Sequence, residues 1–144
     1  MIIGFTGTRE GLTPGQLGEL SEFLHECQEE VCEFHHGGCI GADTLFHALT
    51  QQYQKPRIIY PSDLPDYLQG NCELDREDRR LPVDRPLIRN RKIVEACDVL
   101  LACPKGPEEL HSGTWATVRY GRAAQKRIMI FYPDGHVDEE KGAK

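Results

Sequence analysis

Residues 35–43 read His35-His36-Gly37-Gly38-Cys39-Ile40-Gly41-Ala42-Asp43, the end of an apolar strand passing through three glycines directly into a helix that continues Thr44-Leu45-Phe46. Glycine lets a backbone approach an anion closely, and the first turn of a helix offers unpaired N–H groups at the positive end of its dipole. A turn of this composition is suited to phosphate. A tight strand-to-helix turn needs glycine without any ligand too, so the motif gains its weight from two others. Thr6-Gly7-Thr8-Arg9 and Ser112-Gly113-Thr114 stand beyond two further apolar runs.

Working outward, Ile2 to Gly7 reads as a buried strand, and Thr13-Pro14-Gly15-Gln16 as a capping box with proline at the first helical position. Leu17, Leu20, Leu24, Cys27 and Val31 then recur at helical spacing as one core-facing stripe. Cys32 to His36 is the second strand, and Ala42, Phe46, Leu49 and Tyr53 mark the inner face of the second helix. Arg57 to Pro61 is the third strand. Pro86 opens a helix through Ala96, Val99 to Cys103 is the fourth strand, Gly113 to Gln125 the fourth helix and Ile128 to Tyr132 the fifth strand. Strands alternating with helices predict an α/β, Rossmann-like three-layer fold with a parallel five-stranded sheet in the order 3-2-1-4-5. In such folds ligands bind beyond the carboxyl ends of the strands, where strand order reverses. The glycine-bearing motifs then converge on one crevice above strands 1, 2 and 4. The charged stretch from Ser62 to about Arg85 has no clear periodicity and is longer than ordinary connections, which predicts a functional lid or rim. Residues 1–133 are expected to form one domain and residues 134–144 a polar tail.

The chain has 144 residues, of which 39% are hydrophobic, enough for one core. No apolar run approaches the roughly 20 residues of a membrane helix, and Met1-Ile2-Ile3-Gly4-Phe5 lacks the pattern of a signal peptide, so a cytoplasmic protein without a membrane partner is expected. The six cysteines include no Cys-x-x-Cys pair and lie mostly in apolar segments, which predicts free, largely buried thiols. His35 and His36 are adjacent on a strand and point to opposite faces, so no metal site is expected from them with His47 or Cys39. The net charge of −6 argues against a protein built to grip a nucleic-acid backbone. Against that background Arg76, Arg79, Arg80, Arg85, Arg89, Arg91 and Lys92 outnumber Glu77, Asp78 and Asp84. Such a stretch either steers an anion or is a solvated face.

Thr6-Gly7-Thr8-Arg9, Gly37-Gly38-x-x-Gly41-Ala42-Asp43, Arg89-Asn90-x-x-Ile93 and Ser112-Gly113-Thr114, in this order, resemble the SLOG superfamily of Rossmann-like proteins, and within it the nucleotide-fold domain of the DNA-processing (Smf) proteins. The resemblance implies a crevice for a nucleotide, a nucleotide-derived signal or single-stranded nucleic acid, with no further cofactor. Gly37, Gly38 and Gly41 would present N–H groups to phosphate beside Ala42, and Ser112, Gly113 and Thr114 would do so from the fourth helix. Gly7 and Thr8 would flank Arg9, a bidentate phosphate fork. Arg89 and Asn90 would touch ligand, since an arginine in a first helical turn opposes the dipole. Asp43 is equally readable as a helix-start residue and as a contact to a ribose hydroxyl. Trp115 reads as a core anchor.

Binding of a phosphorylated nucleotide or nucleotide-derived small molecule is therefore the leading expectation. The first alternative is a nucleoside 5′-monophosphate N-glycosidase, by similarity to the Lonely-guy phosphoribohydrolases. Their Gly-Thr-x-x-Glu motif is matched here by Gly113-Thr114-Trp115-Ala116-Thr117, without the carboxylate that stabilises a cationic sugar. Glu108, Glu109 or Asp43 would have to replace it. The second alternative is single-stranded DNA binding, for which no aromatic platform is evident. Related domains pair, so a homo-oligomer is a further expectation.

Overall fold

Every residue from Ile2 to Phe5 is apolar or glycine, the pattern of a strand covered on both faces, and Ile2–Gly7 forms β1 at the middle of the sheet. The structure, a computed structural model, describes residues 1–142. In chain order the elements are β1, α1 (Pro14–Cys27), β2 (Glu33–His36), α2 (Ala42–Thr50), β3 (Arg57–Ile59), β4 (Arg79–Arg80), α3 (Pro86–Ala96), β5 (Val99–Cys103), α4 (Gly113–Ala123), β6 (Arg127–Phe131) and β7 (Val137–Glu140). Short 3-10 turns follow α1 and α2.

The sheet differs from the expected one. Among the described residues it has seven strands rather than five, and its order β4-β3-β2-β1-β5-β6-β7 differs from the expected 3-2-1-4-5 by two added strands, the five expected ones standing as β3-β2-β1-β5-β6. The additions are at the edges. Two-residue β4 extends the parallel sheet by pairing Arg79 with Ile58 and Arg80 with Ile59. At the other edge β7 pairs antiparallel with β6, Val137 opposite Phe131 and Glu140 opposite Ile128. Neither strand has the apolar pattern that marks a buried one, because edge strands are often built from charge to discourage further pairing. Glu139 pairs with Arg127 at 2.7 Å and Glu140 with Arg122 at 2.8 Å. The segment expected to be a polar tail is thus part of the sheet as far as Glu140, and its last two residues lie outside those described.

Alternating side chains of the central strands feed two cores. Ile3, Phe5, Val99, Leu101 and Phe131 pack beneath α1 and α2 with Leu20, Leu24 and Phe46. Leu100, Ala102, Ile128 and Ile130 pack on the other side with Val94, Trp115 and Val118 of α3 and α4. The stacked rings of Phe5 and Phe46, 4.2 Å apart, fix α2 over β1. Trp115 is a core anchor whose Nε1–H donates to the Gly106 carbonyl.

The capping box forms as read: Thr13 Oγ1 accepts from the Gln16 N–H at 3.1 Å and Gln16 Oε1 accepts from the Thr13 N–H at 3.0 Å. The helical stripe is one residue narrower, because Leu17 is 42% exposed. Gln16 takes an inner position and donates from Nε2 to the carbonyls of Pro104 and Phe131.

Candidate functional site

From β1 the chain moves to β2 and β3 on one side, and from β5 it moves to β6 on the other, so the point of reversal lies between β1 and β5. A crevice of about 370 Å³ opens beyond the carboxyl ends of these strands. Of the residues singled out in the sequence, Gly7, Thr8, Arg9, Gly37, Asp43, Arg89, Asn90, Ser112, Gly113 and Thr114 line it. Gly38, Gly41 and Ala42 do not. Cys39, Glu10, Lys105 and His111 line it without having been anticipated as contacts, as does Glu109, considered in the sequence only as a replacement carboxylate. The last three sit in the long β5–α4 connection, which the topology places at the reversal point, and that position was their one available signal.

The β2–α2 turn departs from the expected phosphate cradle. Its N–H groups are largely engaged by the protein: Gly38 N–H donates to His36 Nδ1 at 3.0 Å, Cys39 N–H to Asp43 Oδ2 at 3.2 Å, Ile40 N–H to the Leu68 carbonyl and Ala42 N–H to the Thr8 carbonyl. The glycines serve shape. Gly38 and Gly41 have φ of +68° and +82°, in the region L side chains avoid, and a Cβ on Gly41 would overlap the Arg9 carbonyl.

Open donors line the crevice at another of its elements. At the start of α4 Ser112 Oγ accepts from the Trp115 N–H, while the N–H groups of Gly113 and Thr114 have no acceptor among the described residues. Arg9 is exposed, with no ion-pair partner among the described residues, and Lys105 pairs with Glu10 at 3.4 Å.

Arg89 is only 5% exposed and is held by the backbone rather than free to swing. Its Nη1–H donates to the carbonyls of Gly37 (2.9 Å) and Tyr60 (3.0 Å), its Nε–H to Asn90 Oδ1 (2.7 Å) and its Nη2–H to Cys39 Sγ (3.5 Å). No carboxylate among the described residues lies within ion-pair distance of it. A buried charge lacking a counter-charge is costly. Asp43, 6% exposed, stands near: burial pushes its carboxyl up to about 6, against the pull of Arg89 and of the Cys39 and Gly37 N–H groups.

The position equivalent to a glycosidase carboxylate is closed. Thr117 is buried and donates from Oγ1 to the Gly113 carbonyl at 2.8 Å. Glu108 is paired with both Arg119 and Arg122, and of the three replacements considered only Glu109 and Asp43 line the crevice.

No protein-family model matches the chain, and no curated protein matches it in sequence. Solved structures do match in shape. A molybdenum cofactor binding protein from the phototrophic bacterium Rippkaea orientalis superposes with a TM-score of 0.68 at 19% identity, over 91% of this chain and 76% of its own. A structural-genomics target, TM1055, superposes with a TM-score of 0.60 at 17% identity, over 88% of this chain and 71% of its own. The fold is Rossmann-like.

Outside the crevice, the Rossmann-like frame brings together the side chains of His36, His47 and Cys72, with ligand atoms within 4.8 Å of one another. His35, on the opposite face of β2 as strand alternation requires, turns instead to Tyr60 and Glu33. The hydrogen bonds assign the protons. His36 Nδ1 accepts from Gly38 N–H, so its Nε2 carries the hydrogen and donates to His47 Nδ1 at 2.8 Å, and His47 Nε2–H donates to the Glu73 carbonyl at 2.6 Å. Both imidazole lone pairs are therefore taken, and the group does not fit a metal ion. Burial holds His36 well below the ordinary histidine range and also lowers His47.

The 62–85 segment is a brace rather than the expected lid, and none of its residues lines the crevice. Gly70 N–H donates to the Gly38 carbonyl at 2.7 Å, Cys39 bridges to Gln69, and buried Arg57 ties the segment down through Asp75 at 3.0 Å and Asp78 at 2.6 Å. The Arg57 guanidinium and neighbouring N–H groups lower the Asp78 pKa against its burial. Arg76, Arg79, Arg80 and Arg85 are exposed on this segment, away from the crevice. No helix among the described residues is long and apolar enough to cross a membrane.

Proposed function

We propose that this chain binds a phosphorylated nucleotide or nucleotide-derived small molecule in the crevice beyond β1 and β5. The observation that carries the reading is the buried Arg89 guanidinium: it lines the crevice, has no carboxylate within ion-pair distance among the described residues, and shares that crevice with the open N–H groups of Gly113 and Thr114. An anion in the crevice meets a buried guanidinium that has no ion-pair partner among the described residues, together with a helix N-terminus. The likeness in fold to a protein described as binding the molybdenum cofactor, a small molecule, supports a ligand-binding role for the same frame. Arg9, exposed and with no ion-pair partner among the described residues, supplies a fork for a terminal phosphate.

Isothermal titration with AMP, ADP-ribose and a short single-stranded DNA tests this. Binding of a mononucleotide that Arg9→Ala weakens about tenfold or more, without a change in melting temperature, is the expected result. Binding of the oligonucleotide alone would favour the DNA-processing alternative, and release of free base from a bound nucleotide would make the chain a glycosidase.

A further inference from the structure

We infer that Asp43 makes the crevice selective for a phosphorylated ribose over its deoxyribose counterpart and over bare anions. The inference rests on the phosphate-binding reading and adds a determinant to it. Asp43 Oδ2 accepts from Cys39 N–H. The Gly37 N–H also draws on the carboxyl, while Oδ1 itself has no hydrogen-bond donor among the described residues and is not fully enclosed, Ser62 Oγ being the one buried, unpartnered side-chain atom among them. A side chain 94% buried thus keeps one oxygen open in a residue that lines the crevice.

An ionised carboxylate only accepts hydrogen bonds. Beside Arg89 it works against a bare anion: sulfate or phosphate gains from the guanidinium and from α4 but is repelled by Asp43. A cationic ligand group is disfavoured in turn by Arg89 and Arg9. What satisfies both sides is an anion joined to a neutral donor, and a sugar hydroxyl carried on a phosphate is the simplest such group. Sites that hydrogen-bond a substrate hydroxyl discriminate strongly against the analogue lacking it, because the buried acceptor is then left unpaired. Around Asp43 stand Arg89 from α3, Cys39 from the turn, Cys72 from the brace and Cys103 from β5. Lys105, Glu10, Glu109 and His111 face the same crevice.

The test is calorimetric titration of the whole chain at pH 7.5 with AMP, dAMP, ribose 5-phosphate, 2-deoxyribose 5-phosphate and sulfate. A preference of about tenfold or more for each ribose compound over its deoxy partner, with sulfate weakest, is expected. Asp43→Asn should shrink that preference to within about threefold and strengthen sulfate, its melting temperature being read alongside. If the variant does not fold, a pH series with sulfate decides, in a His111→Gln background. Its affinity should rise as pH falls through about 6, because protonation removes the repulsion, and a flat profile overturns the inference. Equal binding of ribose and deoxyribose compounds overturns it too, while leaving phosphate binding intact. If none of the phosphorylated probes binds, the phosphate-binding reading falls and this inference falls with it.

Discussion

Asp43 and Arg89 both touch Gly37 and yet do not pair with each other. A carbon in place of the Gly37 hydrogen would lie 3.0 Å from Asp43 Oδ2 and would overlap Arg89 Nη1. The two charged groups are nevertheless outside ion-pair distance. Each is instead satisfied in part by the backbone, Arg89 by carbonyls and Asp43 by N–H groups, so their charges remain available to a third partner in the crevice.

Arg89 is a strut between the ends of β2 and β3 as well as a charge. Lysine has no planar fork and cannot reproduce the bonds to the Gly37 and Tyr60 carbonyls together with that to Asn90. Arg89→Lys should lose about 2–4 kcal/mol in urea denaturation. An unchanged midpoint would contradict the bracing role.

Asp43 should leave a signature in the pH dependence of stability. Its folded pKa of about 6 lies above the ordinary 3.8, so the folded state takes up the proton more readily. The ionised group therefore destabilises the fold above about pH 6, on the order of 3 kcal/mol, and that cost disappears as pH falls to 4. Relative to Asp43→Asn, the wild type should gain stability on acidification across this window, measured by denaturation at several pH values.

The His36–His47 chain predicts the opposite slope and no metal. Both imidazoles are neutral with folded pKa values below the ordinary 6.5, so their contribution is present above 6.5 and is lost as pH falls through it. Zinc or a chelator should leave the melting temperature unchanged, since no lone pair is free. A rise on adding zinc that His47→Gln abolishes would overturn the proton assignment.

Two glycines should respond in contrasting ways to alanine. Gly41→Ala forces a side chain onto φ +82° and against the Arg9 carbonyl, and should cost about 1–3 kcal/mol. At Gly106 a Cβ meets nothing within 4 Å, so Gly106→Ala should be close to neutral in thermal unfolding.

The parts of the fold visible in the sequence are those set by local rules. The capping box at Thr13, the helix starts at Pro86 and Ser112, and the apolar runs of β1 and β5 follow from propensity and period. β4 and β7 did not announce themselves, because a charged edge strand looks like a loop until a neighbour pairs with it. At the site, the crevice-lining residues were findable from topology and glycine position. The internal use of the turn's N–H groups was not, because the Leu68 carbonyl that accepts from Ile40 comes from a segment without periodicity. Nor was the His36–His47 contact, which joins two elements across a register that only the folded sheet defines.

The satisfied β2–α2 turn bears on how fast the crevice can work. Because Gly38, Cys39, Ile40 and Ala42 already have acceptors for their N–H groups, this wall keeps its shape whether or not a ligand is present. Its amides should exchange slowly with deuterium in the free protein and change little on binding. With no ordering of this turn required, association would be governed more by diffusion and by the field of Arg9 and Arg89, and it would slow as salt is added.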